Sequence, residues 1–466
     1  MSTDNLAPSP PTVLWAQTAL TRDGWADRVT VQISDDGSIQ SVEANTDQPA
    51  GATTCSLLLP AIANVHSHAF QRALAGLSES RKSATHDSFW TWREHMYRFL
   101  EHLSPDDVES IAAYVFMETL ATGCAAIGEF HYLHHQPNGT PYGDIGEMSV
   151  RVAAAAAQSG IGLTLLPVLY EQGGCDGRAP AGAQVRFAND LEQFARLHES
   201  ASQAVAGVSS DCLTGVAPHS LRAVAADSLT QVQLVAPDAP IHLHIAEQTA
   251  EVDEVLAHTG QRPVEWLLDH HSVDARWCLV HATQTTTAET KRLAASQAVA
   301  GLCPITEANL GDGIFDGLNY LEAGGRFGIG SDSNVRISMP EELRLLEYSQ
   351  RLRDHTRSVL ASKTQSTGRL LYEASALGGA QATGRHAGRI APGYLADLVA
   401  LDADAIALTG LTGDTLLDSY LFAGSKSLIT DVWSAGRHVV QEGRHVNADA
   451  ITARYRATLR KLRALL

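Results

Sequence analysis

The feature that most constrains this chain is a series of eight short apolar runs alternating with helical stretches. The runs end near His66, Glu129, Tyr170, His219, His244, His281, Thr306 and Asp332. Alternating strand and helix patterns predict βα units around a parallel sheet, and eight of them over about 330 residues fit an α/β fold of the (β/α)8, or TIM, barrel type. In such barrels the chemistry sits at the C-terminal ends of the strands. Here nearly every run stops at a His, Glu or Asp, so the pattern that predicts the fold also predicts where its site lies.

Two β-rich ends flank the barrel. From Val13 to about Leu58 the chain reads as short strands such as VTVQIS with a turn at Asp35–Gly37, and GYLADLVALD and ITDVWSAGRHVVQEGRHV repeat that texture near the other end. The expected organisation is a small composite β-sandwich from residues 1–58 and 388–446, a barrel over 59–387, and a C-terminal helix over 447–466. That last segment, ITARYRATLRKLRALL, is basic and amphipathic, which predicts a docked helix.

At 466 residues the chain exceeds the usual size of one compact core, which agrees with a large domain and a small companion. The net charge of −18 disfavours nucleic acid and anionic membrane as partners, because both carry the same sign. No apolar run approaches the roughly 18 residues of a membrane span, and MSTDNLAPSPP lacks the basic and apolar regions of a signal peptide. The expectation is a cytoplasmic protein. Its six scattered cysteines, with no C-x-x-C pair, are expected to be reduced and mostly buried.

His66 and His68 are two residues apart, so in a strand both imidazoles point the same way and can reach one ion. A catalytic divalent ion is commonly held by nitrogen and carboxylate donors with one position open for water. His244, His281 and Asp332 are the natural residues to complete the set. His242 shares a strand face with His244, and the sequence alone leaves both open as ligands. His244 is favoured because it lies nearer the strand's C-terminal end, three residues before Glu247, and His242 is read as structural.

With these residues in place, the chain resembles the amidohydrolase superfamily over nearly its whole length. His66-Ser67-His68 resembles the family's first-strand pair, His244 its fifth-strand ligand, His281 its sixth-strand histidine and Asp332 its eighth-strand aspartate. Many relatives bridge two metals with a carboxylated lysine on strand four. The lysines here are Lys82, Lys291, Lys363, Lys426 and Lys461, and the fourth run ends in APHSLR, so the resemblance is to the one-metal deaminase branch. HSHAFQRALAG, GEFHYLHH, APHSLRAV and CPITEANLGDGIFDG are similar to the formimidoylglutamate deiminases within that branch.

The resemblance implies one divalent ion, zinc in the first place and iron or manganese otherwise, on His66, His68, His244 and Asp332. Asp332 would accept a water proton, His281 would orient the nucleophile, and Glu247 would protonate the imine nitrogen. It also implies a small dianionic, amino-acid-derived substrate met by Gln71, Arg93, Tyr132, His219 and Arg222, with Arg72 and Arg81 as possible substitutes, and a homodimer. Glu129 is read either as a carboxylate that steadies a ligating histidine or as a satisfied strand end. Two other functions fit the same residues less well: a one-metal deaminase of guanine, cytosine or an adenosine derivative, and a non-catalytic barrel that binds without turnover.

Overall fold

A computed structural model describes residues 12–77, 79 and 89–465, with the backbone alone for 89–91 and 93–95. Its central feature is a ring of parallel strands: Ile62–Ser67, Cys124–His131, Gly162–Leu169, a fourth in two pieces (Leu213–Thr214 and Ala217–Pro218), Ile241–Ile245, Trp277–His281, Val299–Leu302 and Arg326–Ile329. The eighth strand pairs with the first through Ile329 and Asn64, and bridges from Val216 to Ile241 and Ser220 to His244 close the circle between the fourth and fifth. Strands covered on both faces read as continuous apolar runs, and all residues of the first, second, third, fifth and sixth strands are buried.

Two strands depart from the apolar runs that predict them. The fourth is broken at Gly215, where an added Cβ would lie 2.6 Å from the Pro240 carbonyl oxygen and 2.7 Å from Leu166, so the chain passes too close to its neighbours to carry a side chain. The seventh stops at Leu302. Pro304 then opens the helix Pro304–Leu310, whose first turn contains Thr306, because proline at a first helical position lacks only an N–H that would be unpaired anyway.

The two chain ends form a second sheet of eight strands, in the order Arg444–His445, Arg437–Gln441, Ile429–Ser434, Leu398–Leu401, Thr53–Pro60, Thr12–Thr21, Gly24–Ile33 and Ile39–Glu43. Its pairs are antiparallel except for Thr12–Thr21 beside Thr53–Pro60. Leu14, Val29, Val31, Leu58, Leu398 and Trp433 close a core distinct from the main one, which makes this sheet the composite sandwich beside the barrel. The seam is ionic. Arg385 binds Asp397 at 2.9 Å and Asp211 at 3.0 Å, and Arg437 binds Asp211 at 2.6 Å.

The helix Ala448–Arg463 lies on the helix Pro105–Ala121, with Tyr455 stacked on Tyr114 at 4.0 Å and Lys461 bonded to Asp107 at 2.6 Å. All six cysteines are free thiols, five of them buried. Among the described residues no helix is long and apolar enough to cross a membrane.

Candidate active site

Strands one and eight carry the centre of the site between them. The Asp332 amide donates to the His66 carbonyl at 2.9 Å and the His68 amide donates to the Asp332 carbonyl at 2.9 Å, which places the three side chains on one rim. Gly330 permits this closeness: a Cβ there would fall 2.7 Å from the His66 Cβ. Asp332 and Asn334 sit at φ of 45° and 56°, and Ala246, His281 and Ala282 at 50°, 71° and 52°. Left-handed backbone at residues with side chains is costly, and its concentration at the strand ends marks a place where position outweighs local comfort.

His66 Nε2 lies 3.2 Å from His68 Nε2, 3.1 Å from His244 Nε2 and 3.4 Å from Asp332 Oδ1, and His68 Nε2 is 3.2 Å from that same oxygen. The other ring nitrogen of His68 faces the Phe130 carbonyl at 2.8 Å, and that of His244 faces the His219 carbonyl at 3.0 Å. A carbonyl can only accept, so both rings carry their proton on Nδ1 and turn a bare Nε2 lone pair inward. Lone pairs and a carboxylate crowded at these distances repel one another unless a cation lies among them. Ligands each about 2.0–2.1 Å from a common ion in tetrahedral array stand about 3.3–3.4 Å apart, close to the 3.1–3.4 Å seen. The residues therefore fit a single divalent ion.

Burial holds His66 down to about 3 and, with the neighbouring imidazoles, keeps His244 well below its ordinary value, so both stay neutral as ligands must. Burial alone would raise Asp332, but the adjoining His66 and His68 imidazoles outweigh it and hold the carboxylate well below its usual range.

His281 also converges here: it, His66, His244 and Asp332 each present one donor atom within 4.8 Å of the others. Its ring is engaged differently, with Nδ1 at 3.3 Å from Glu307 Oε1 and Nε2 at 3.8 Å from Glu247 Oε1. Burial acts against its charge, yet Glu247, Glu307 and Asp332 push its pKa well up, in the direction that favours the imidazolium. Glu247 is raised to about 7, chiefly by burial, with His281 opposing and Asp332 and Glu251 adding to the rise. A carboxyl poised near neutrality beside the cluster can give and take a proton.

A pocket of about 600 Å³ opens over this centre, walled by Gln71, Met96, Tyr132, Tyr170, Phe187, His219, Arg222 and Leu310 among others. Gln71 donates to the Tyr132 hydroxyl at 2.7 Å. Arg222 is enclosed, and among the described residues no hydrogen bond or ion pair meets its guanidinium. Burial lowers its pKa, but Glu251, Tyr170, Glu247 and Glu254 raise it further, so it remains charged.

Of the residues singled out from the sequence, His66, His68, His244, Glu247, His281, Asp332, Gln71, Tyr132, His219 and Arg222 all meet at this centre or its pocket. The Arg93 side chain and Arg81 lie outside the described residues. Arg72 does not serve as a substitute, because its guanidinium is spent on Glu118 at 2.8 Å and on the carbonyls of Asn334 and Val335 at 3.0 and 2.9 Å. His242 bonds the Ala382 carbonyl at 2.8 Å, away from the cluster. Glu129 takes the Ala69 amide at 2.7 Å and so fixes the turn that follows His68.

The structure adds two carboxylates that the sequence reading left unassigned. Glu307 holds His281, and Asp312 lies within 4.8 Å of donor atoms of both Glu247 and His281. Asp312 accepts from Gln248 and is pushed up to about 9 by burial and by Glu247. Both lie in CPITEANLGDG, just past the seventh strand, so the strand-end rule that found the others could have found them.

Residues 57–439 match the amidohydrolase family, and residues 11–53 match the N-terminal domain of formimidoylglutamate deiminase HutF. The formimidoylglutamate deiminase of Pseudomonas aeruginosa is 46% identical over 94% of this chain and 96% of its own. A crystal structure of an amidohydrolase from Brucella melitensis superposes with a TM-score of 0.92 at 46% identity, covering 97% of this chain and 99% of that one. An adenosine deaminase from Xanthomonas campestris with bound zinc shares the fold, with a TM-score of 0.81 at 22% identity over 98% and 100%. The chain belongs to the amidohydrolase family and carries the N-terminal domain described for formimidoylglutamate deiminase.

Proposed function

We propose that this protein hydrolyses N-formimidoyl-L-glutamate to N-formyl-L-glutamate and ammonia, a step of histidine degradation, with zinc as the ion on His66, His68, His244 and Asp332. The observation that carries this reading is Arg222: an enclosed guanidinium with no partner among the described residues, in the wall of the pocket that holds Glu247. A partly buried cation with no partner among the described residues, in a protein of net charge −18, calls for an anionic ligand, and the guanidinium fork suits a carboxylate. The identity to the Pseudomonas deiminase over nearly the whole of both chains supports the same substrate. Three neutral imidazoles and one carboxylate are donors that zinc accepts in hydrolytic sites.

An ion held by these residues would lower the pKa of a water molecule from about 15.7 towards neutrality. The chain's own residues do the rest. Asp332 takes one proton from the attacking water while Glu247, in its protonated form, gives its proton to the imine nitrogen as the C–O bond forms. The charged His281 lies beside the reacting oxygen and stabilises the negative charge that grows there. When the C–N bond breaks, the proton on Asp332 passes to the leaving nitrogen and the hydroxyl proton returns to Glu247. Ammonia and the formyl product leave with both acids restored. Arg222, Tyr132, Gln71 and His219 hold the substrate's polar groups, and Arg93 remains the sequence-based choice for the second carboxylate.

Ammonia release from N-formimidoyl-L-glutamate, compared with guanine, cytosine and adenosine, tests the assignment. Equal amounts of ammonia and N-formyl-L-glutamate, with little turnover of the bases, is the expected result. Preference for a base would replace this reading with that of a nucleobase deaminase.

A further inference from the structure

Tyr170 ends the third strand's run and walls the same pocket as Arg222, yet no sequence argument gave it a role. Its backbone is fixed by Asn189, whose amide donates to the Tyr170 carbonyl at 3.0 Å and whose side-chain oxygen accepts the Tyr170 amide at 3.3 Å. The ring stands edge-on to His219, with centroids 4.8 Å apart, and to Phe187 at 5.7 Å. Backbone and ring are therefore held, and only the hydroxyl proton is left to be directed.

Gln184 directs it. Its side-chain oxygen accepts the Ala181 amide at 3.1 Å, which sets the orientation of the amide group, and its Nε2 then donates to the Tyr170 hydroxyl at 2.8 Å. A phenol oxygen that accepts from an amide keeps its own proton for another partner. Among the described residues nothing takes that proton, while Tyr170 lies within electrostatic reach of the Arg222 guanidinium.

We propose that Tyr170 is a specificity-determining residue whose hydroxyl donates, beside Arg222, to one carboxylate of the substrate, with Gln184 as the positioning residue that turns the proton into the pocket. This rests on the deiminase reading above. The pair forms a two-donor clamp from strands three and four, and it favours an anionic oxygen over a neutral amide at that point because both groups can only donate there.

Kinetics of the metal-loaded enzyme test it with Tyr170→Phe, which keeps the ring and its contacts. KM for N-formimidoyl-L-glutamate should rise about tenfold or more, as expected for one lost hydrogen bond to a charged group, with kcat within about threefold. Assayed on the two mono-amides of the substrate, the Tyr170→Phe penalty should vanish for one, in which the clamped carboxylate is gone, and persist for the other. Gln184→Glu would accept the hydroxyl proton and add a negative charge, so it should raise KM at least as much, and most of that effect should disappear in the Tyr170→Phe background. An unchanged KM, a penalty that persists on both mono-amides, or additive effects of the two substitutions would overturn the proposal. Wild-type turnover reports separately on the deiminase reading: if the wild type releases no ammonia from this substrate, that reading fails whatever the variants do.

Discussion

Glu247 and His281 face each other across 3.8 Å, a carboxyl that burial raises to about 7 and an imidazole that its carboxylate neighbours push well above its usual range. A carboxyl that titrates near neutrality can give and recover one proton in a single turnover. Glu247→Gln keeps the shape but loses the acid, so kcat should fall about 10²–10⁴-fold, the usual weight of a general acid or base, while bound metal is unchanged by elemental analysis. Arg222→Ala removes binding rather than chemistry. KM should rise about 100-fold with a much smaller change in kcat, and Arg222→Lys should recover only part of the loss, because a lysine cannot make the paired bonds of a guanidinium. Steady-state kinetics separates the two variants by which constant moves.

The turn after the eighth strand holds Asp332 in place, and Arg72, in the helical turn Ala69–Leu74 that follows the first strand, fastens it by bonding the Asn334 and Val335 carbonyls while it is anchored on Glu118. Arg72→Met should weaken metal affinity about tenfold or more, by competition with a chromogenic chelator, since groups that orient ligands commonly carry that weight. At the seam between barrel and sandwich, burial would raise Asp211, but the Arg437 hydrogen bond and the Arg385 and Arg437 charges hold it well below the usual carboxylate range. It therefore adds stability that is complete above the unfolded carboxylate value of about 3.9 and is lost as pH falls below it. Thermal melts should show a steep drop below about pH 4. Asp211→Asn should flatten that drop and, at pH 7, cost about 3–5 kcal/mol in chemical denaturation by leaving two arginines short of a partner.

Over the whole molecule, what was legible in the sequence is what repeats or ends an element. Apolar runs alternate with helices, and His66, His68, His244, His281 and Asp332 close their runs, so barrel and metal centre can be read together. Glu307 and Asp312 are legible as carboxylates just past the seventh strand, but their approach to His281 is not, because the strand stops at Leu302 and the short helix Pro304–Leu310 sets where they lie. Tyr170 is legible only as a strand end; the direction of its hydroxyl proton depends on Gln184, fourteen residues on, in the short helical turn Gly182–Arg186 that no periodicity predicts. Nor does the local pattern reveal that Thr12–Thr21 runs parallel to Thr53–Pro60, a pairing settled by how the two chain ends close around one core. The proposed reaction needs one ion, on four residues drawn from the ends of strands one, five and eight, serving a formimidoyl substrate. Titration of metal-free protein with zinc, following ammonia release from N-formimidoyl-L-glutamate, tests it most directly: activity should rise linearly and level off at one equivalent per chain, whereas a plateau at two equivalents, or full activity without added metal, would contradict it.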